Sequence, residues 1–299
     1  MNKIVQTFDL AKQFRKNVVL DRLNLSISEG SVYGLLGQNG AGKSTAIKIL
    51  MNHVQPSAGR AEIFGHDSRR LSAQDFTQIG YVSENQEMPE WMTVAYFMSY
   101  LAPFYPKWDA ARAEELLRQF QLPRERKLKH LSRGMRMKVS LASSLAYGPR
   151  LIVLDEPFNG LDALVRDQLV EGLLESIDGA TVLISSHDLS EIENFASHVG
   201  YLDQGHLLFS EEMSSLTARF REIEVTREGY WSQPANWPKS WVSAEHSESM
   251  TRFVDTSFQN ENLLSQVRQI FQGVQRISVN PMPLRAIFVT LAKTGQKEG

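Results

Sequence analysis

The 299-residue sequence contains no cysteine. Disulfides, thiol nucleophiles and cysteine-based metal sites are therefore excluded, and a reducing cytoplasm is permitted without being required. No run approaches the eighteen or so consecutive apolar residues of a bilayer-spanning helix, so any membrane role is expected to come through a partner. The first ten residues, Met1 to Leu10, lack the unbroken apolar core of a signal peptide. Neither sign of charge dominates. Lys and Arg number 32 against 34 Asp and Glu, a net charge of −2, which offers no electrostatic case for a nucleic-acid partner. Internal repeats, low-complexity tracts and coiled-coil heptads are also missing. What remains is a composition ordinary for a globular protein, 42% hydrophobic and 22% charged. The length suits one large α/β domain plus a smaller one.

The most specific stretch present is Gly37-Gln38-Asn39-Gly40-Ala41-Gly42-Lys43-Ser44-Thr45, which fits G-x-x-x-x-G-K-[ST]. The apolar run Ser31 to Leu36 before it reads as a strand, and Ala46 to Met51 after it has the apolar spacing of a helix. A glycine-rich turn between strand and helix lets backbone N–H groups approach phosphate oxygens closely. The helix N-terminus adds a positive dipole end. Lys43 is placed to reach the β- and γ-phosphates, and the Ser44 hydroxyl can ligate Mg²⁺.

Residues 1 to about 35 read as short strands with turn signals, notably Glu29-Gly30. Further along, Ala61 to Gly65 and Ile79 to Val82 read as strands, residues of about 90 to 148 as mostly helical, and Leu151–Leu154 and Thr181–Ser185 as buried parallel strands joined by a crossover helix over Leu164–Ile177. Strand, helix, strand with a phosphate loop at the start indicates a parallel-sheet nucleotide fold with a helical block inserted. After about residue 216 the texture changes. Gly229 to Pro238 is loop-like and rich in aromatics. Arg252–Asp255 and Arg276–Val279 read as strands. Two helical stripes follow, Leu263, Leu264, Val267, Ile270 and Phe271, then Leu284, Ile287, Phe288 and Leu291.

Leu151-Ile152-Val153-Leu154-Asp155-Glu156 has the form of a Walker B strand. Asp155 falls on the Mg²⁺ side and Glu156 is placed to polarise an attacking water. Leu131-Ser132-Arg133-Gly134-Met135, before a helix, resembles the LSGGQ signature of ATP-binding cassette (ABC) ATPases, with Arg133 and Met135 as departures. With six motifs in the family's order over roughly residues 3 to 212, the chain resembles that family. The resemblance implies that Ser132 and Gly134 face phosphate. It also implies a head-to-tail dimer in which the P-loop of one copy and the signature of the other enclose each ATP.

The resemblance extends to single positions. Gly37, Asn39, Gly40, Gly42, Lys43, Ser44 and Thr45 would cradle the phosphates, and Phe14 matches the aromatic that stacks on adenine, though without a hydroxyl. Asp162, in Asn159-Gly160-Leu161-Asp162, resembles the loop that crosses the dimer interface. His187 matches the switch histidine that holds the γ-phosphate, Glu156 and the water. The Q-loop glutamine is replaced by Glu84, a carboxylate still able to ligate Mg²⁺ beside Ser44 and Asp155. Gln86 would be the counterpart if the loop is shifted.

The expected fold is an α/β P-loop NTPase: a RecA-like core with antiparallel β and helical subdomains of the ABC type over 1–215, the helical part at about 85–150, and a small α+β appendage over 216–299. Pro103–Asp109 resembles ATPase subunits of bacterial ABC-2-type exporters of drugs, antibiotics or peptides. The implied partners are a second ATPase subunit, identical or not, and an integral membrane permease that holds the chain at the inner face of the cell membrane. The implied cofactors are ATP and Mg²⁺. Two alternatives stay open. One is an importer subunit with a regulatory C-terminal domain. The other is a soluble ABC ATPase acting on ribosomes or nucleic acid, disfavoured by a single cassette and a Lys43–Asp155 span too short for a long coiled coil.

Overall fold

The computed structural model describes residues 2–84, 86–228 and 237–295. It divides into two compact units, Met1–Ser210 and Glu211–Gly299. Of the aromatic loop read at Gly229–Pro238, residues 229–236 lie outside the described residues.

The first unit opens with β1 (Lys3–Phe14), β2 (Asn17–Leu23) and β3 (Ser26–Ser28). Short strands were expected here, but β1 runs for 12 residues. It stays continuous by bending: Asp9 takes a left-handed φ of +43°, and the pairing register shifts between Leu10 and Lys12. β4 (Val32–Leu36) and α1 (Lys43–Leu50) follow, then β5 (Ala58–Ile63) and β6 (His66–Asp67). An antiparallel sheet forms in the order β2-β1-β5-β6, with β3 also on β1.

The chain continues through α2 (Ala73–Phe76), β7 (Ile79–Ser83), α3 (Val94–Leu101), α4 (Ala110–Gln119), α5 (Arg133–Leu145), β8 (Leu151–Asp155), α6 (Ala163–Ser176), β9 (Thr181–Ser186), β10 (His198–Asp203) and β11 (His206–Glu212). Side chains start these helices. Thr93, Asp109, Ser132 and Asp162 cap α3, α4, α5 and α6 by accepting free N–H groups of the first turn. The second sheet runs β11-β10-β4-β9-β8-β7. The pairs β10/β4, β4/β9, β9/β8 and β8/β7 are all parallel. Every residue of β8 and β9 is buried, which is why both read as unbroken apolar runs. Parallel order puts the loops after β4, β7, β8 and β9 on one edge, where ligands of such sheets bind.

On the helical block, Trp91 just before α3, Tyr96 and Tyr100 on it and Phe104 just after it stay 63%, 51%, 46% and 60% exposed. Their rings meet in pairs, Trp91 on Tyr96 at 5.7 Å and Tyr100 on Phe104 at 5.6 Å. The opposite face of α3 buries Val94, Phe97 and Met98.

The second unit holds α7 (Met213–Arg219), β12 (Arg221–Arg227), β13 (Trp241–His246), β14 (Met250–Asp255), α8 (Asn260–Ile270), β15 (Val274–Pro281) and α9 (Leu284–Gly295). Its sheet, β13-β14-β12-β15, is antiparallel throughout. Ile223, Val225, Trp241, Phe253, Leu263, Val267 and Phe271 form its own core, with Trp241 stacked on Phe253 at 4.2 Å. The stripe read on α8 is narrower than expected, because Leu264 points out and is 52% exposed.

Candidate active site

The site begins with backbone that only glycine accepts. Gly42 precedes α1 at φ +109°, and a Cβ there would stand 2.7 Å from Leu20 Cδ2 and 2.8 Å from the Val19 carbonyl. Gly37 is buried, while Asn39 and Gly40 are exposed at the turn. Lys43 then starts α1 with its side chain only 4% exposed. Its Nζ donates to the carbonyls of Gly37 at 2.6 Å and Gln38 at 3.2 Å, and forms an ion pair with Glu156 Oε1 at 3.0 Å. Ser44 and Thr45 are half-buried beside it.

Asp155, at the end of β8, accepts hydrogen bonds from the Ser44 and Ser185 hydroxyls, both at 2.8 Å. Glu156 is turned out of the strand's alternation by a left-handed φ of +51°, a conformation that costs about 1–2 kcal/mol outside glycine. Its backbone N–H donates to Ser185 Oγ at 2.9 Å. Its carboxylate bridges two groups, Lys43 through Oε1 and His187 Nδ1 through Oε2 at 2.9 Å. The glycine-rich loop after β4, the acidic end of β8 and the histidine after β9 thus meet at one carboxylate, on the edge to which parallel pairing brings all three.

The Glu156 hydrogen bond raises the His187 pKa above its ordinary value. The charges of Glu156 and Glu191 add to the rise, while burial and Lys43 oppose it. The sign follows from the direction. The pairing is complete below the ordinary histidine pKa and is lost as pH rises through the raised folded value. An NMR titration is expected to place His187 above an unperturbed histidine, and Glu156→Gln to bring it back down. A value at or below the ordinary one in the unmodified chain would break this account.

Other sequence-selected residues lie around this centre. Phe14 ends β1 and is 46% exposed, with Lys12 Nζ 4.6 Å above its ring, so it is not a core aromatic. Ser132 caps α5, its Oγ accepting from the Met135 N–H at 3.2 Å. Gly134 is buried where α5 meets α6, and a Cβ there would stand 2.7 Å from Val165 Cγ1. Asp162 caps α6 by accepting from the Val165 N–H at 2.9 Å. Glu84 gives Oε1 to Arg133 at 2.5 Å and Oε2 to the Asn159 amide at 3.0 Å. Gln86 is exposed on the rim of a groove of about 670 Å³ that Glu84 and Arg133 also line.

Sequence reasoning missed three features. Ser185 reads from the sequence as a strand residue before His187, with no role of its own, yet it holds both Asp155 and Glu156. A hydroxyl at the buried end of a strand beside Walker B was the available signal. The Lys43–Glu156 and Glu84–Arg133 pairs join residues far apart in the chain, and no local signal announces either.

The family described as ABC transporter matches residues 20–159. The bacitracin transport ATP-binding protein BcrA of Enterococcus faecalis is 31% identical over 226 residues, 74% of this chain and 73% of that protein. The chain belongs to the ABC transporter family. The lantibiotic transport ATP-binding protein SrtF of Streptococcus pyogenes is 34% identical over 208 residues, 68% of this chain and 89% of that protein. Among solved structures, an ATP-binding cassette, dimeric in a post-hydrolysis state with ADP and Pi, is similar at a TM-score of 0.62 and 25% identity, over 70% of this chain and 99% of its own. Fold class and resemblance agree with the sequence reading: this is an ABC ATPase, which binds and hydrolyses ATP.

Proposed function

We propose that this ABC ATPase powers export of antibiotics or peptides through a separate membrane permease. The observation that carries the ATPase reading is the Glu156 carboxylate, held between Lys43 and His187 at the carboxyl edge of the sheet. The export reading is supported by relatives that carry bacitracin and lantibiotic transport in their names. Residues 1–215 serve as the ATPase module, with residues of about 85–150 as its helical part, and 216–299 as an appendage.

In this reading Lys43 exchanges Glu156 for the β- and γ-phosphates, while Gly37, Asn39, Gly40, Gly42 and Thr45 bring backbone N–H groups to them. Phe14 stacks on adenine. The released Glu156 takes the proton of the attacking water, and His187 holds the γ-phosphate in line. Ser44 and Asp155 would hold Mg²⁺, since a hydroxyl and a carboxylate oxygen already meet there at 2.8 Å and hard oxygen donors suit that ion. Bound there, Mg²⁺ supplies neutralisation of phosphate charge. Ser132, Gly134 and Asp162 act on the ATP of a second copy. A head-to-tail dimer, identical or mixed, is supported by the dimeric solved cassette.

The described residues include no helix long and apolar enough to cross a membrane, so the chain would be held at the inner face of the membrane by its permease. The exposed stripe of Trp91, Tyr96, Tyr100 and Phe104 gives the helical block an apolar face for that contact.

Fractionation and sensitivity tests in the native host separate the parts of this reading. The tagged chain should sediment with membranes, and its deletion should sensitise cells to peptide antibiotics. Membrane association with unchanged sensitivity would remove the antibiotic substrate and leave the transporter. A chain found wholly in the soluble fraction would remove the transporter reading.

A further inference from the structure

Glu84 and Arg133 both depart from the family's motifs, and they meet. Glu84 follows β7, and its N–H donates to the Asp155 carbonyl at 3.1 Å, so its backbone lies beside the residue that accepts from Ser44. Arg133 is the first residue of α5. The two are 49 positions apart in sequence, and their side chains form an ion pair at 2.5 Å. The second oxygen of Glu84 accepts from Asn159, 75 positions away in the loop after β8. The guanidinium also lies against the backbone of that loop, since a Cβ on Gly160 would come within 2.8 Å of Arg133 Nη1. One carboxylate therefore joins the end of β7, the start of α5 and the loop after β8.

Stability does not explain this arrangement. The pair is part-exposed, with Arg133 46% and Glu84 25% accessible, and such pairs add little to folding. The electrostatics of the site do explain it. A free carboxylate next to Asp155 would add a negative charge beside a bound triphosphate and lower its affinity. An amide at the same place would carry no such charge and need no counter-ion. The cation at Arg133 and the anion at Glu84 therefore account for each other.

We infer that Arg133 is a positioning residue for Glu84: it neutralises the carboxylate, keeps both its oxygens turned away from the nucleotide, and so makes a glutamate tolerable beside the triphosphate. The pair also ties the signature helix to the nucleotide edge within one chain, so that movement of α5 changes the charge the site presents. This rests on the reading that the P-loop binds ATP.

The test is equilibrium titration with a fluorescent ATP analogue, with and without Mg²⁺, together with KM and kcat for Mg-ATP. The proteins are the full chain, Arg133→Gln, Glu84→Gln/Arg133→Gln and Arg133→Lys. Arg133→Gln is expected to weaken analogue binding and raise KM by about three- to tenfold. Removing Glu84 as well should return affinity to within about twofold of the unmodified chain, and Arg133→Lys, which keeps the cation, should stay within about twofold. Thermal melting separates this from a structural role, which would leave the double variant as impaired as Arg133→Gln. An Arg133→Gln affinity within about twofold of the unmodified chain, or a double variant as weak as the single, would overturn the proposal. Failure of the unmodified chain to bind the analogue would instead refute the reading of the P-loop.

Discussion

Glu156→Gln is expected to bind ATP and to hydrolyse it about 10²- to 10⁴-fold more slowly, the usual contribution of a positioned general base. Glutamine keeps the size and one oxygen but cannot accept a proton from water. Binding should not suffer, because Glu156 grips no phosphate. Its Oε1 pairs with Lys43 at 3.0 Å and would compete with the triphosphate for that cation. Neutralising it removes the competitor, so affinity should hold or rise. With hydrolysis blocked, the variant should accumulate as an ATP-bound dimer. Size-exclusion chromatography in Mg-ATP beside a phosphate-release assay would show both effects. Turnover close to that of the unmodified chain would take Glu156 out of the chemistry.

Lys43→Ala should have the opposite pattern, with nucleotide binding lost first. The side chain is 4% exposed and makes three polar contacts. Hydrogen bonds to charged groups contribute about 1.5–3 kcal/mol each, so losing those destined for the phosphates weakens ATP by about tenfold or more for each. The variant also takes Lys43 from the Glu156 carboxylate, which is 12% exposed and keeps its His187 contact, so the stability cost should fall below the about 3–5 kcal/mol of breaking a fully buried pair. A lower melting temperature is therefore expected as well. Calorimetric titration with an ATP analogue, at a temperature where the variant is still folded, separates the two losses. Folded protein that binds within about threefold of the unmodified chain would show that the triphosphate does not rest on Lys43.

These two residues were legible in the sequence because their chemistry is written locally. A glycine forced to φ +109° before a lysine, and two acids closing a wholly buried strand, are patterns within ten residues. The parallel core was legible for the same reason: its strands are apolar on both faces. The site's wiring was not. Ser185 looked like the tail of a strand until β9 paired with β8 and set it opposite Asp155. Glu84 and Arg133 each read as an isolated departure until the fold joined them. Element ends moved by a residue or a few. The helix read at Leu164–Ile177 starts at Ala163, because Asp162 caps it. The sequence also suggested short strands at the start, since a bend at Asp9 cannot be seen in a string of residues whose pairing partners lie up to 58 positions away.

The aromatic stripe on the helical block has a consequence for anyone producing the protein. Four large rings between Trp91 and Phe104 face water in an isolated copy, and kosmotropic salts strengthen the attraction between such faces. An orphan copy, made in excess of the permease, would carry this adhesive patch through purification. It would tend to self-associate as concentration and sulfate rise, independently of ATP. Under the proposed contact, co-expression with the permease would mask the patch, whereas polar substitutions along it would give a better-behaved reagent. Such a reagent would still turn over nucleotide, and under the same proposal it would no longer engage the permease.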